Sequence, residues 1–98
     1  MKFQEKCYKI LERVPKGKVT TYKSLAMALN SKAFRAVGTA MKNNLNAPNV
    51  PCHRVIKSNG EIGQYNLGVQ KKIQLLKSEG IIIVNNKVDL NKYEFKFS

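Results

Sequence analysis

Chemistry at neutral pH is most readily expected of Cys52, because a cysteine becomes a useful nucleophile once a base or a positive field favours its thiolate. His53 and Arg54 follow it directly in Pro51-Cys52-His53-Arg54-Val55. On a strand, neighbouring side chains point to opposite faces, so a contact between His53 and Cys52 calls for a bend or a bridging water. The other cysteine, Cys7, falls on an apolar helical stripe and reads as a small buried hydrophobe. One histidine and no close cysteine pair argue against a tetrahedral zinc site, and there is no glycine-rich phosphate loop. No cofactor or metal is expected.

The elements that must position this cysteine follow from spacing. Phe3, Cys7, Ile10, Leu11 and Val14 recur at helical intervals until Pro15-Lys16-Gly17 ends the pattern. Thr20 and Thr21 can cap a second helix with Tyr22, Leu25, Ala26 and Leu29 inward, broken at Asn30-Ser31. Ser31 is expected to cap a third helix with Ala33, Ala36, Val37 and Ala40 on one side and Lys32, Arg35 and Lys42 elsewhere. Two short helices around a tight turn, the second basic and rich in small residues, read as a helix-turn-helix. The run 43–51 has no usable period and is loop, and Ser58-Asn59-Gly60 marks a turn, with a hairpin as one option. A fourth helix is expected from about Gly68 to Ser78, with Val69, Ile73 and Leu76 sharing a face and Gly80 as a left-handed stop. Glu79 then lies at a negative dipole end, so a specific partner is expected for it. Ile81 to Val84, Asn85-Asn86 and Lys87 to Leu90 read as a hairpin, with Tyr93, Phe95 and Phe97 alternating behind it.

The totals set the class. With 98 residues and 43% apolar content, the chain suits one domain with one modest core. Lys and Arg number 18 against 6 acidic residues, a formal charge of +12, which attracts polyanions and makes nucleic acid the first partner to consider. No hydrophobic span or basic amphipathic helix points to a membrane, and no signal peptide is seen, so an intracellular, cytoplasmic monomer is expected. The architecture expected is a small, mostly helical α/β domain, winged-helix-like, with a helix-turn-helix and short β-hairpins.

As a string, Pro51-Cys52-His53-Arg54-Val55 resembles the active-site signature of the O6-alkylguanine-DNA alkyltransferase family, the methylated-DNA:protein-cysteine methyltransferases. The likeness runs from Phe3 to about Glu79 and Gly80 and includes matches at separated positions. It implies that Cys52 accepts an alkyl group from O6-alkylguanine in duplex DNA, once and irreversibly, after the base is flipped. It further implies a relay in which His53 takes the thiol proton through water and Glu79 steadies the imidazolium. Asn44 would be the hinge asparagine tying the helix-turn-helix to the turn that bears the cysteine, since an amide can donate and accept at once. Arg35, in Phe34-Arg35-Ala36-Val37-Gly38, matches the arginine that fills the space of the extruded guanine from the minor groove. Lys32, Ala33, Phe34 and Ala36 would accompany it on the DNA side. Tyr22 matches the tyrosine that contacts the flipped base and can supply a proton to it. Tyr65 and Asn66 match the loop closing over the base, and Val55, next to Pro51 and Cys52, would offer backbone contacts to the guanine edge.

Three features depart from the family pattern. Leu45 and Ala47 stand where prolines are common, which bears on pocket shape, and Phe34 replaces a small residue. The amino-terminal domain present in many members is also missing, so residues 1–98 are expected to form a minimal catalytic and DNA-binding domain. Two alternatives remain open from the residues. One is a lesion-binding member of the same superfamily, in which the cysteine is replaced, often by tryptophan, whereas Cys52 is intact here. The other is a winged-helix transcription regulator, which would bind one operator and be indifferent to Cys52→Ala.

Overall fold

The apolar spacing at the start of the chain folds as α1 (Phe3–Leu11), with Cys7 and Leu11 buried. Arg13 N donates to Ile10 O and Val14 N to Leu11 O, and this tightened last turn carries Val14 into the core. The computed structural model describes residues 2–46 and 49–97. Ala47, one of the two positions that differ from the family's prolines, lies outside the described residues.

Next come β1 (Thr20–Thr21) and α2 (Tyr22–Ala28), and the Thr21 hydroxyl accepts the Ser24 N–H at 3.0 Å, which caps α2 as its sequence predicts. Asn30 takes a positive φ of 55° and turns the chain toward α3 (Phe34–Lys42). Here the structure corrects the expected cap. The Ser31 hydroxyl is engaged by Ala33 N at 3.0 Å in a local turn, so Ala33 occupies the N-cap position without a side-chain bond. Ala33 is exposed, and Val37, Ala40 and Met41 form the buried stripe of α3. The Tyr8 hydroxyl donates to Ala40 O at 2.6 Å and fastens α1 to α3.

Cys52–Arg54 is a single 3-10 turn rather than a strand, followed by β2 (Val55–Ile56). β2 runs parallel to β1, Thr20 opposite Val55 and Thr21 opposite Ile56, so α2 and α3 lie within a crossover that ends at the cysteine. Because strand side chains alternate, Val55 enters the core made by α1, α2 and α3, while Ile56 enters a second core. That second core is completed by Val19, Leu76, Ile81, Val88 and Tyr93.

α4 (Val69–Ser78) starts after Gly68, whose φ is 96°, and ends at Glu79 before Gly80 at 89°. Its buried residues are Lys72 and Leu76, while Val69, expected inward, is 38% exposed. β3 (Ile83–Val84) and β4 (Lys87–Val88) form the expected hairpin through Asn85 and Asn86, both at positive φ. The segment expected to continue as strand becomes α5 (Leu90–Tyr93), capped by the Asp89 carboxylate on Asn91 N at 3.0 Å. Phe95 N then donates to Val19 O at 2.7 Å, and Phe95 and Phe97 pack on the first core. The Ser58-Asn59-Gly60 turn joins no second hairpin of named strands. Beyond it, Glu61 makes only an isolated bridge to Lys87. Among the described residues the result is a small, mostly helical domain of five α-helices with short strands.

Gly60 has φ 91°, and a Cβ there would lie 2.8 Å from the Val88 carbonyl oxygen, which is fixed in the hairpin. Gly60→Ala is expected to destabilise the fold by roughly 1–3 kcal/mol, measured as a lower urea midpoint with an unchanged slope.

Candidate functional site

Cys52 borders a cavity of about 620 Å³, shared with Tyr22, Gly38, Met41, Lys42, Lys57, Gly63, Gln64, Tyr65 and Asn66. Three elements supply this lining: the start of α2, the inner side of α3, and the irregular segment before α4. Burial pushes the Cys52 thiol up, and the Asn44 side chain, the Lys72 ammonium and the local backbone only partly offset it. The resting sulfur is therefore a thiol, as a relay in which His53 takes its proton requires.

Behind the cysteine, on the 3-10 turn, His53 is 1% exposed and its Nε2 lies 2.9 Å from Glu79 Oε2. Burial would raise the Glu79 carboxyl, but hydrogen bonds from Arg54 and then His53 outweigh that and hold it below the usual range. Glu79 is thus an anion, so His53 carries its proton on Nε2 and presents a lone pair at Nδ1. Burial lowers the imidazole below its ordinary value despite Glu79, which keeps that lone pair available at neutral pH. Among the described residues Nδ1 has no hydrogen-bond partner, so no direct bond joins it to Cys52. A proton leaving the thiol for His53 needs a bridging water or a small movement.

Arg54 explains how Glu79 tolerates the negative end of α4. Its Nε and Nη2 donate to Oε1 and Oε2 of Glu79 at 2.9 and 2.8 Å, and its Nη1 donates to Val14 O at 2.9 Å. One guanidinium thereby links the cysteine turn, the end of α4 and the end of α1. The partner expected for Glu79 is this pair, His53 and Arg54.

Asn44, 2% exposed, bridges backbone segments as an amide can: Nδ2 donates to Val50 O at 2.8 Å and Oδ1 accepts from Asn46 N at 3.0 Å. Leu45 beside it is 99% exposed. Tyr22 faces the cavity, and burial together with Cys52 raises its phenol, so it stays protonated. Tyr65 is pushed up to about 12 by burial, Cys52 and Glu79, and its ring meets His53 edge-on at 6.3 Å. Pro51 and Val55 do not line the cavity with their side chains: Pro51 is buried and caps the cysteine turn, and Val55 has its side chain in the core while its carbonyl accepts from Lys72 at 2.8 Å.

Lys32, Ala33, Phe34 and Arg35 are all exposed around the start of α3, with Ala36 half-buried behind them. Arg35, Gly38 and Lys42 follow i, i+3, i+7 spacing and so share one stripe of α3, whose later members border the cavity. The exposed basic stretch and the cavity are therefore successive parts of one helix face.

Residues 2–81 match the family described as 6-O-methylguanine DNA methyltransferase, DNA binding domain. The chain belongs to this family. It is 45% identical over 89 residues to a bifunctional methyltransferase/endonuclease of Picrophilus torridus, covering 90% of this chain and 30% of that one. The structure of S. pombe Atl1 in complex with damaged DNA containing O6-carboxymethylguanine superposes with a TM-score of 0.86 at 33% identity, covering 97% of this chain and 95% of Atl1. Mycobacterium tuberculosis OGT in complex with DNA gives a TM-score of 0.79 at 37% identity over 82% of this chain and 49% of that protein. The chain thus spans a third to a half of several family members and nearly all of Atl1.

Within this methyltransferase-family domain, the cavity residues Met41, Lys57, Gly63 and Gln64, the Arg54 grip on Glu79 and a buried lysine were not read from the sequence. Lys72 is 0% exposed, and its ammonium donates to Val55 O, Ile62 O and Gln64 O at 2.8, 2.7 and 2.9 Å. Burial lowers it to about 7, opposed by Cys52, while three carbonyl acceptors require all three of its protons and so favour the ammonium. A lysine beside Lys71 on a helix reads as solvated. The available signal was its register, four residues before Leu76 on the inward face.

Glu79→Gln keeps the shape and removes the charge that both His53 and Arg54 need. Stability at pH 7 is expected to fall by about 3 kcal/mol. A depressed carboxyl contributes above its unfolded value and loses that contribution as pH falls through the folded one. Urea curves of the variant and the wild type should therefore converge in acid.

Proposed function

We propose that this domain repairs O6-alkylguanine in duplex DNA by taking the alkyl group onto Cys52. The observation that carries this is a single cavity bordered by a cysteine thiol and a protonated tyrosine, backed by an imidazole whose tautomer is set by an ion-paired carboxylate. The net charge of +12 supports phosphate contacts, and the exposed Lys32, Arg35 and Phe34 give α3 an edge suited to the groove and to a vacated base position.

In the step itself the Cys52 proton passes through a water to His53 Nδ1, and the sulfur attacks the alkyl carbon in line. The S–C bond forms as the C–O6 bond breaks, and the electron pair goes to the guanine. Tyr22 delivers a proton to the leaving base and regains one from the imidazolium through solvent, so the products are guanine and a thioether. A thioether does not hydrolyse under these conditions, which limits each molecule to one event.

A second reading, binding of the lesion without transfer, is favoured by the likeness to Atl1 over 97% of the chain. Intact Cys52 favours repair. Incubation with duplex DNA carrying O6-methylguanine should add the mass of one methyl to the wild type and nothing to Cys52→Ser. Tight binding of that duplex by folded wild-type protein with no gain in mass would establish the second reading instead.

The transfer rate should be level from neutral to mildly alkaline pH, where a thiol and a neutral imidazole coexist. Since His53 lies below its ordinary value, the decline should come only as pH falls under the usual imidazole range. A rate already falling at pH 7.5 would contradict the assignment of His53 as base.

A further inference from the structure

Resting on that reading, we infer that Asn66 is a positioning residue that pins one wall of the Cys52 cavity to the end of the DNA-facing helix. The wall in question is the segment 63–66, which gives Gly63, Gln64, Tyr65 and Asn66 to the cavity and has no helix or strand of its own. On its inner side Lys72 holds Gln64 O, and Gly68 N closes a turn on Tyr65 O at 3.0 Å. On its outer side Asn66 Nδ2 donates to Asn44 O at 2.7 Å.

The acceptor is what gives this bond its consequence. Asn44 follows directly on the C-cap of α3, and its own amide is locked to Val50 and Asn46. Gly38, Met41 and Lys42 of the same helix also line the cavity. The Asn66 bond therefore ties the 63–66 lining to the end of α3 by a polar contact, in addition to the packing of Tyr65 on the first core, and it sets the spacing between the two linings. It also restrains Tyr65, whose ring leans edge-on against His53. Asn66 is exposed, so water competes for the bond, and its loss should loosen this wall while sparing the cores.

An exposed asparagine bonded to a loop carbonyl is commonly a local staple, and the reaction separates the two roles. Asn66→Ala removes the amide, Asn66→Asp keeps its shape without the donor, and Asn66→Gln retains a donor on a longer arm. At saturating O6-methylguanine duplex, single-turnover transfer should slow about tenfold in Ala and Asp and recover most of the rate in Gln, because small misplacement of reacting groups is costly. The half-saturating DNA concentration should stay within about twofold, and backbone amides of 63–68 should exchange hydrogen faster before DNA is added. Unaltered transfer in Ala and Asp overturns the proposal, whether or not exchange quickens, and so does a loss expressed wholly as weaker DNA binding. Should the wild type transfer no alkyl group, the repair reading fails separately. Exchange in the free protein still decides whether Asn66 holds this wall, unchanged protection at 63–68 counting against it.

Discussion

Glu79 carries the constraint from which the rest of the site follows. Its carboxylate stands at the end of α4, where the peptide dipoles repel it, and it is kept there because Arg54 grips both oxygens while His53 approaches one of them. This anion selects which ring nitrogen of His53 bears the proton. Through the third arm of Arg54, on Val14 O, the same interaction draws α1, the cysteine turn and α4 to a common point. A neutral residue at 79 would leave a guanidinium and an imidazole without the partner that orients them.

Cys52 illustrates a tension that the fold manages rather than removes. It belongs to the core formed by α1, α2 and α3, and that membership fixes the sulfur while disfavouring its charge. Permanent ionisation would require a strong positive neighbour at the sulfur, and the nearby arginine is committed to Glu79. The cation that offsets burial is Lys72, itself buried and spread over three carbonyls. The sulfur is thus held in place first and ionised only when its proton has somewhere to go.

Much of this was legible in the residue order. The pentapeptide at 51–55, the family resemblance that singled out Asn44, and the awkward placement of Glu79 pointed to groups that the fold brings together. The Thr21 cap and the Asn85-Asn86 turn were equally plain, because each depends on one residue's local chemistry. What escaped was a competing local turn in one place and distant partners in others. Ser31 looked like a cap, but its hydroxyl accepts from Ala33 N, two residues on, and Ala33 takes the cap position. Tyr93, Phe95 and Phe97 alternate like a strand, yet Leu90–Tyr93 coils, since Asp89 caps it and Tyr93 is needed in the second core. Lys72 went unread because its acceptors come from segments 55 and 62–64, far from it in sequence.

The stripe of α3 that begins at Arg35 and passes through Gly38 to Lys42 has a mechanical meaning as well. Seven helical steps amount to about 10 Å along the axis, with side chains kept in phase. The spacing between whatever Arg35 meets and the cavity is consequently ruled by a rigid pitch and not by a pliable connector. Adding one residue between Arg35 and Gly38 would swing the arginine about 100° around the axis. The two ends would then address different directions even though every side chain of the site were still present.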